Sequence, residues 1–334
     1  MYGSLILATV LYIILFWVRS IQGGWEFETK LFTSERLFLD QKISQLLPSP
    51  QAELLSGILL GNKKDLPIGL KLNLRDTSTI HMVVVSGQNL SMVAGFFMLL
   101  SGLIKRKLAI ALSFSAIILY TLLTGLQVPV LRAAIMVSVG FLAQMVGREK
   151  DSSWILILTG GLMLLINPGW LIDISFQLSF LATFGVIVVA PILLRRLNSV
   201  PIVSQDLAIS LAAQIMVMPV IVQNFHQISL VGLLANLLTL WTIPFIMILG
   251  SFMLVVSFIS VFLGSLVALG VNVLLTYFIY IVQFFASLPF AWQYLGEQLW
   301  VVWIGYYLIV SGVLFMLSLN NDQTKDLRAS SKSS

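Results

Sequence analysis

The sequence predicts an all-α fold, a polytopic bundle of transmembrane helices with about eight to ten spans. Three observations carry this. The 334 residues are 58% hydrophobic and 10% charged, with a mean hydropathy of +0.99, where a soluble domain has roughly 25% charged residues. Apolar windows of about 20 residues, the length that crosses a bilayer as helix, recur through nearly the whole chain. Clusters of Lys and Arg separate these windows at intervals of an even number of crossings, the pattern that orients a bundle in the membrane.

The windows run approximately 3–18, 80–104, 108–124, 129–146, 153–166, 174–194, 207–224, 231–262, 265–288 and 300–318. Residues 1–18 have no basic leading region and no small-residue cleavage site, and read as an N-terminal transmembrane anchor. Residues 19–35 are a linker. From Ser34 to Leu47, Leu39, Ile43, Leu46 and Leu47 fall on one helical face. Ser34 is the expected cap, and Pro48 with Pro50 is the stop. Such a helix lies in the membrane interface or against the bundle. The run Ala52 to Gly61 is too short to span and reads as re-entrant, leading into a turn at Gly61–Pro67. The window 153–166 stops at Asn167-Pro168, and 231–262 is expected to break at Asn236 or Pro244. From Asn320 the chain is polar and Ser-rich, a tail (319–334) expected to be disordered.

The basic clusters are Lys105-Arg106-Lys107, Arg148 with Lys150, Arg195-Arg196, and Lys325, Arg328 and Lys332. An even number of crossings between them puts all four on the cytoplasmic side. The opposite connections, 124–128, 167–173 and 289–298, contain no Lys or Arg. Residues 19–78 then lie outside, although they carry eight Lys and Arg among seven Asp and Glu. A longer, self-neutralising segment translocates more readily than a short basic loop.

Several side chains sit where a plain anchor has no use for them. His81, Ser86, Gly87, Gln88 and Asn89 occupy the first half of the 80–104 window. Unpaired amide and imidazole groups in hydrocarbon cost several kcal/mol, so they face protein or a wet cavity. The segment reads either as a broken helix whose freed backbone N–H groups meet an anion, or as close packing through Ser and Gly. Arg132 and Asp173 are the charged pair at membrane depth, either on a substrate path or as an ion pair fixing two helices. Gln177, Ser179 and Asn236 are uncharged polar groups that line a passage or join helices. Phe176, Phe180 and Phe184 recur at fourfold spacing, as core packing or as a base-stacking platform. The zero cysteine count excludes disulfides and thiolate chemistry, and two histidines leave little for a metal site. A hydrolase built on His81 and Ser86 lacks a third group to orient the histidine. The chain is therefore not expected to be an enzyme, and no cofactor is implied.

Five groups of residues in fixed order resemble the ComEC competence-domain family. They are Leu55-Ser56-Gly57-Ile58-Leu59-Leu60-Gly61 with Leu66-Pro67; His81 through Ser86-Gly87; and Pro129-Val130-Leu131-Arg132-Ala133-Ala134. Next come Asn167-Pro168 with Phe176-Gln177-Leu178-Ser179-Phe180-Leu181-Ala182-Thr183-Phe184-Gly185, and then Asn224-Phe225-His226-Gln227-Ile228-Ser229 with Asn236 and Pro244. The resemblance covers about Arg36 to Leu317 and delimits a competence-like membrane domain at 36–318. It implies a channel of the cytoplasmic (inner) membrane that passes single-stranded transforming DNA. Lys63, Lys64, Lys71 and Arg75 would form an outer basic funnel for it. A transporter or flippase for another anionic substrate is the alternative. Relatives commonly add an OB-fold domain and a metallo-β-lactamase-like domain, and this chain is expected to have neither. The resemblance thus implies a separate nuclease, a cytoplasmic motor and other competence proteins as partners. The lipid bilayer is a further partner, and self-association into a homo-oligomer a further expectation. Where many relatives read Ser-Gly-x-His, this chain has Asn89, which hydrogen-bonds but does not titrate near neutral pH.

Overall fold

A computed structural model describes residues 2–23, 32–62, 65–83, 87, 89–90, 92–93, 95, 102, 104–145, 151–197 and 204–330. Apart from one two-stranded sheet, the regular structure among these residues is helical. The chain divides into two compact units, one of residues 1–177 and 229–292, the other of 178–228 and 293–334. Strands β1 (Gln227–Ser229) and β2 (Trp292–Tyr294) make the sheet, and the unit boundary falls within each of them.

The first unit begins with α1 (Tyr2–Gln22), α2 (Thr33–Leu46), α3 (Gln51–Leu60), α4 (Ile68–Asp76) and α5 (Ile80–Val83). It continues with α6 (Arg106–Thr124), α7 (Val128–Met145) and α8 (Ser152–Ile166), and takes in the start of α9 (Ile174–Leu194). It closes with α11 (Gly232–Leu240), α12 (Thr242–Ile259) and α13 (Val261–Ala286). The second unit holds most of α9, then α10 (Ser204–Phe225) and α14 (Trp300–Ser330). Among the described residues, five helices are long and apolar enough to cross a membrane: α9, α10, α12, α13 and the 300–317 part of α14. Shorter apolar helical stretches are Thr9–Gln22, Gln51–Leu60, Leu108–Thr124, Val128–Gly140 and Ser152–Ile166.

Helix ends follow local chemistry. Asp151 caps α8 by accepting from the Ser153 and Trp154 N–H groups at 2.9 and 3.3 Å. Asn167-Pro168 ends α8, as the sequence predicts, and opens a 3-10 turn over Pro168–Ile172, with Asn167 Oδ1 accepting from Gly169 N–H at 2.9 Å. Asp173 then starts α9, its carboxylate accepting from Phe176 N–H at 2.8 Å. Within α9, residues Gly185–Val189 form a π turn. Pro191 has no N–H for the Ile187 carbonyl four residues back, so the ladder changes register there.

Three local expectations need correcting. Ser34 does not cap α2; Phe32 does so with a left-handed backbone and no side-chain bond, while the Ser34 hydroxyl donates to Glu35 at 2.8 Å. The break in 231–262 falls at Trp241, between α11 and α12, rather than at Asn236 or Pro244. Its cause is still Pro244, because the amide missing there is the one that would bond the Leu240 carbonyl. The segment from Asn320, whose polar composition predicts disorder, is helical on to Ser330 in α14, with no Gly or Pro to interrupt it.

Helix α1 packs along α8. The Tyr12 hydroxyl donates to the Gly161 carbonyl at 3.3 Å, and Arg19 Nε to the Leu165 carbonyl at 3.2 Å. Both contacts advance in the same chain direction, so the two helices are parallel and their C-terminal ends share a side. Arg19 supplies a cation and a donor to the orphaned last carbonyls of α8.

Candidate functional site

The largest hydrophobic core of the first unit is built around α3. This helix has only 10 residues, yet Ala52 and all of Leu54 to Leu60 are buried. Leu54, Leu55 and Ile58 are fully enclosed, with Leu74, Ile243, Ile246, Met253 and Phe278 in the same cluster. Two glycines set the closeness of the packing. A Cβ at Gly57 would lie 2.6 Å from Val83 Cγ1, and one at Gly250 would lie 2.8 Å from Leu55 Cδ1. Helix α3 therefore meets α5 and α12 at distances a larger residue would not allow. Its start is tied to α13, with Gln51 Nε2 donating to Thr276 Oγ1 at 3.0 Å. Ser56 donates to the Asp40 carboxylate of α2.

A short helix enclosed by protein must find donors for its last carbonyls, which have no partner within the helix. Here they come from three directions. The Gly61 N–H, with φ 74° as the left-handed cap, closes on the Gly57 carbonyl at 3.1 Å. Asn89 Nδ2 donates to the Ile58 carbonyl at 3.2 Å, and the Tyr120 hydroxyl donates to the same oxygen at 3.4 Å. Gln127 Nε2 donates to the Gly61 carbonyl at 3.3 Å. Asn89 is 1% exposed, so its carboxamide is committed to this protein interior.

Beside this clamp sits Arg132, 9% exposed on the second turn of α7. Its Nη2 lies 3.1 Å from where a Gly87 Cβ would be, with Ala133 Cβ at the same distance. Gly87 is therefore the seat of the guanidinium. Residues that the sequence placed in three separate motifs, Gly57 to Gly61, Gly87 with Asn89, and Arg132, meet at one locality.

The remaining candidates are distributed otherwise. His81 Nδ1 bonds the Ser78 carbonyl at 2.8 Å, so its ring is used locally, at an exposed position. Asp173 is the cap of α9, and Gln177 Nε2 donates back to the Leu171 carbonyl at 3.0 Å. Ser179 is half-buried in the second unit, with its carbonyl accepting from the Thr183 hydroxyl at 2.9 Å. Asn236 is half-buried on α11; one turn on, the Thr239 hydroxyl reaches Met82 Sδ at 3.4 Å. Of the basic funnel, Lys71 and Arg75 are exposed one turn apart on α4, and Arg75 pairs with Asp76 at 3.0 Å. Lys63, Lys64, Ser86 and Gln88 lie outside the described residues, as does the expected helix interruption at Ser86-Gly87. Phe176 is 6% exposed in the first unit, whereas Phe184 in the second is 42% exposed, so the phenylalanine spacing does not mark one uniform face.

Sequence reasoning missed Tyr120 and Gln127. Their only signals were a lone tyrosine in an aliphatic span and a glutamine one residue before the next, neither of which names a partner. Among the described residues, no group of three or more His, Cys, Asp or Glu is placed to hold a metal ion.

The fold and this locality define a multi-pass helical membrane protein organised around a short, polar-clamped helix beside a buried arginine. The chain belongs to the competence-protein family, whose model matches residues 58–320. It is 28% identical over 197 residues to the ComE operon protein 3 of Bacillus subtilis, covering 58% of this chain and 25% of that one. It is also 26% identical over 223 residues to the uncharacterised protein YcaI of Escherichia coli, covering 60% of this chain and 28% of that one. A protein of Aquifex aeolicus is 32% identical over 129 residues, 38% of this chain and 30% of its own. The matches thus cover about a quarter to three tenths of the length of these relatives. No solved structure matches significantly.

Proposed function

We propose that the protein is a channel for single-stranded DNA in the cytoplasmic membrane, serving natural competence and acting by conduction rather than by catalysis. The observation that carries this reading is Arg132, a cation 9% exposed, seated on Gly87 within an apolar bundle. Charged side chains at membrane depth are costly and mark substrate paths. A guanidinium presents a planar fork of donors that fits a phosphodiester oxygen pair. The clamp commits the Asn89, Tyr120 and Gln127 donors to the Ile58 and Gly61 carbonyls, and the arginine beside it is the cation that would meet an anion. Lys71 and Arg75, with Lys63 and Lys64, would gather the polyanion before it enters. A nuclease, a cytoplasmic motor and the other competence proteins would be the partners, and a homo-oligomer is a further element of the proposal.

The test is transformation frequency in a strain lacking the gene, complemented in parallel by the parent protein and by Arg132→Gln. The parent should restore transformation and the variant should not, with both present in the membrane at equal amounts. Normal uptake of labelled DNA in the deletion strain would sink the reading and favour a transporter or flippase for another anion.

A further inference from the structure

The second unit contains a proline in the middle of a long apolar helix, and the neighbouring helix supplies side-chain donors on both sides of it. Pro219 lies inside α10 (Ser204–Phe225). It has no N–H to donate to the Ile215 carbonyl, and its ring pushes that carbonyl away, which also strains the next bond to Met216. In a membrane span no water replaces the missing donor. Here the Tyr306 hydroxyl donates to the Ile215 carbonyl at 3.0 Å, and the Tyr307 hydroxyl to the Met216 carbonyl at 2.9 Å. Beyond the proline, Trp303 Nε1 donates to Gln223 Oε1 at 2.8 Å. Residues 303, 306 and 307 share one face of α14, three and four apart. Their rings stack edge to face, with centroids 6.3 Å (Trp303–Tyr306) and 5.6 Å (Tyr306–Tyr307) apart.

The two halves of α10 are held differently. The N-terminal half is fixed to the π turn of α9, because a Cβ at Gly185 would lie 2.6 Å from the Ala212 carbonyl oxygen and 3.0 Å from Met216 Cγ. The C-terminal half, 219–225, is joined to α14 through the Trp303–Gln223 bond and leads into His226, whose φ of 56° is left-handed.

We propose that Pro219 is a hinge in α10 and that Tyr306 and Tyr307 are its latch. The hydroxyls take the place of the missing amide in the state described here. Both hydroxyls hold carbonyls on the N-terminal side of the proline and so seat α14 against the fixed half, while the Trp303–Gln223 bond ties the 219–225 segment to the helix so seated; α14 thereby sets how far that segment moves. This inference does not depend on what the protein conducts.

The absence of cysteine allows two labels to be placed cleanly. Spin labels at Asn224→Cys and Leu308→Cys, both exposed positions, report the distance between the hinged segment and α14 in full-length protein in lipid nanodiscs. The parent should give one narrow distance distribution. Tyr306→Phe with Tyr307→Phe should broaden it or add a second population, and amides 220–226 should exchange hydrogen roughly ten- to thirtyfold faster. Adding Pro219→Ala supplies the missing amide and should return both readings toward the parent's. If the tyrosine pair variant does not fold, Tyr306→Phe alone should speed exchange roughly threefold to tenfold in the parent and hardly at all beside Pro219→Ala. A distribution and exchange rates unchanged by loss of the hydroxyls, or an equal rise in both backgrounds, would overturn the proposal.

Discussion

Removing the donors on the Ile58 carbonyl one at a time and then together tests the clamp on α3. Asn89 Nδ2 at 3.2 Å and the Tyr120 hydroxyl at 3.4 Å share this oxygen. Loss of either leaves the other in place, so Asn89→Ala and Tyr120→Phe should each cost about 0.5–1.5 kcal/mol, the net worth of one bond. The double variant leaves a buried carbonyl with no donor, which adds the desolvation penalty of about 1–3 kcal/mol. The double loss should therefore exceed the sum of the single losses by about 1–2 kcal/mol. Unfolding by sodium dodecyl sulfate titration in mixed micelles, followed by tryptophan fluorescence, measures all four corners of this cycle. A strictly additive double variant, or singles with no measurable cost, would refute the claim that these side chains jointly satisfy the end of α3. Asn89→Asp should be worse than Asn89→Ala, because a carboxylate offers no donor and brings charge to a residue 1% exposed.

Gly185→Ala should cost about 1–3 kcal/mol, since the opposing atom at 2.6 Å is backbone that cannot rotate away. Gly270→Ala, with nothing within 4 Å of the new Cβ, should be neutral or gain up to about 1 kcal/mol of helix propensity in the same titration. Gly87→Ala should lower transformation as Arg132→Gln does, because the methyl displaces the guanidinium at 3.1 Å, and a normal frequency at normal membrane abundance would count against the seat. Single-stranded DNA binding by detergent-solubilised protein should weaken with salt, with a slope of about −0.7 per contacted phosphate. Replacing Lys63, Lys64, Lys71 and Arg75 together with Gln should flatten that slope by up to about 3, and an unchanged slope would remove the funnel.

Much of the architecture was legible along the chain because it rests on properties that act locally. Hydropathy identified the membrane class, Asn167-Pro168 ended α8, and Pro48 with Pro50 ended α2. The apolar face of α2 was also legible: Ile43 and Leu47 are buried, with Leu39 and Leu46 packed against the same core. The errors came from competition at short range. Ser34 was one of several polar residues near a helix start, and a left-handed Phe32 took the cap. Pro244 was correctly suspected, but its effect appears at the carbonyl four residues earlier, which moved the break to Trp241. Asp173 was read for its charge at membrane depth, and the structure adds that its carboxylate caps the start of α9.

The sequence by itself determined that this is an all-helical, multi-pass membrane protein carrying the competence motifs in order, because periodicity, hydropathy and proline stops are written within a few residues of one another. Only the tertiary structure decided which partners these side chains meet. Asn89 meets Ile58 across 31 positions, Tyr120 meets it across 62, Gln127 meets Gly61 across 66, and Tyr306 meets Ile215 across 91. Any buried carboxamide or hydroxyl must find a partner, but which carbonyl is left open for it depends on where a short helix ends or a proline interrupts one, and on which neighbour the fold then brings alongside.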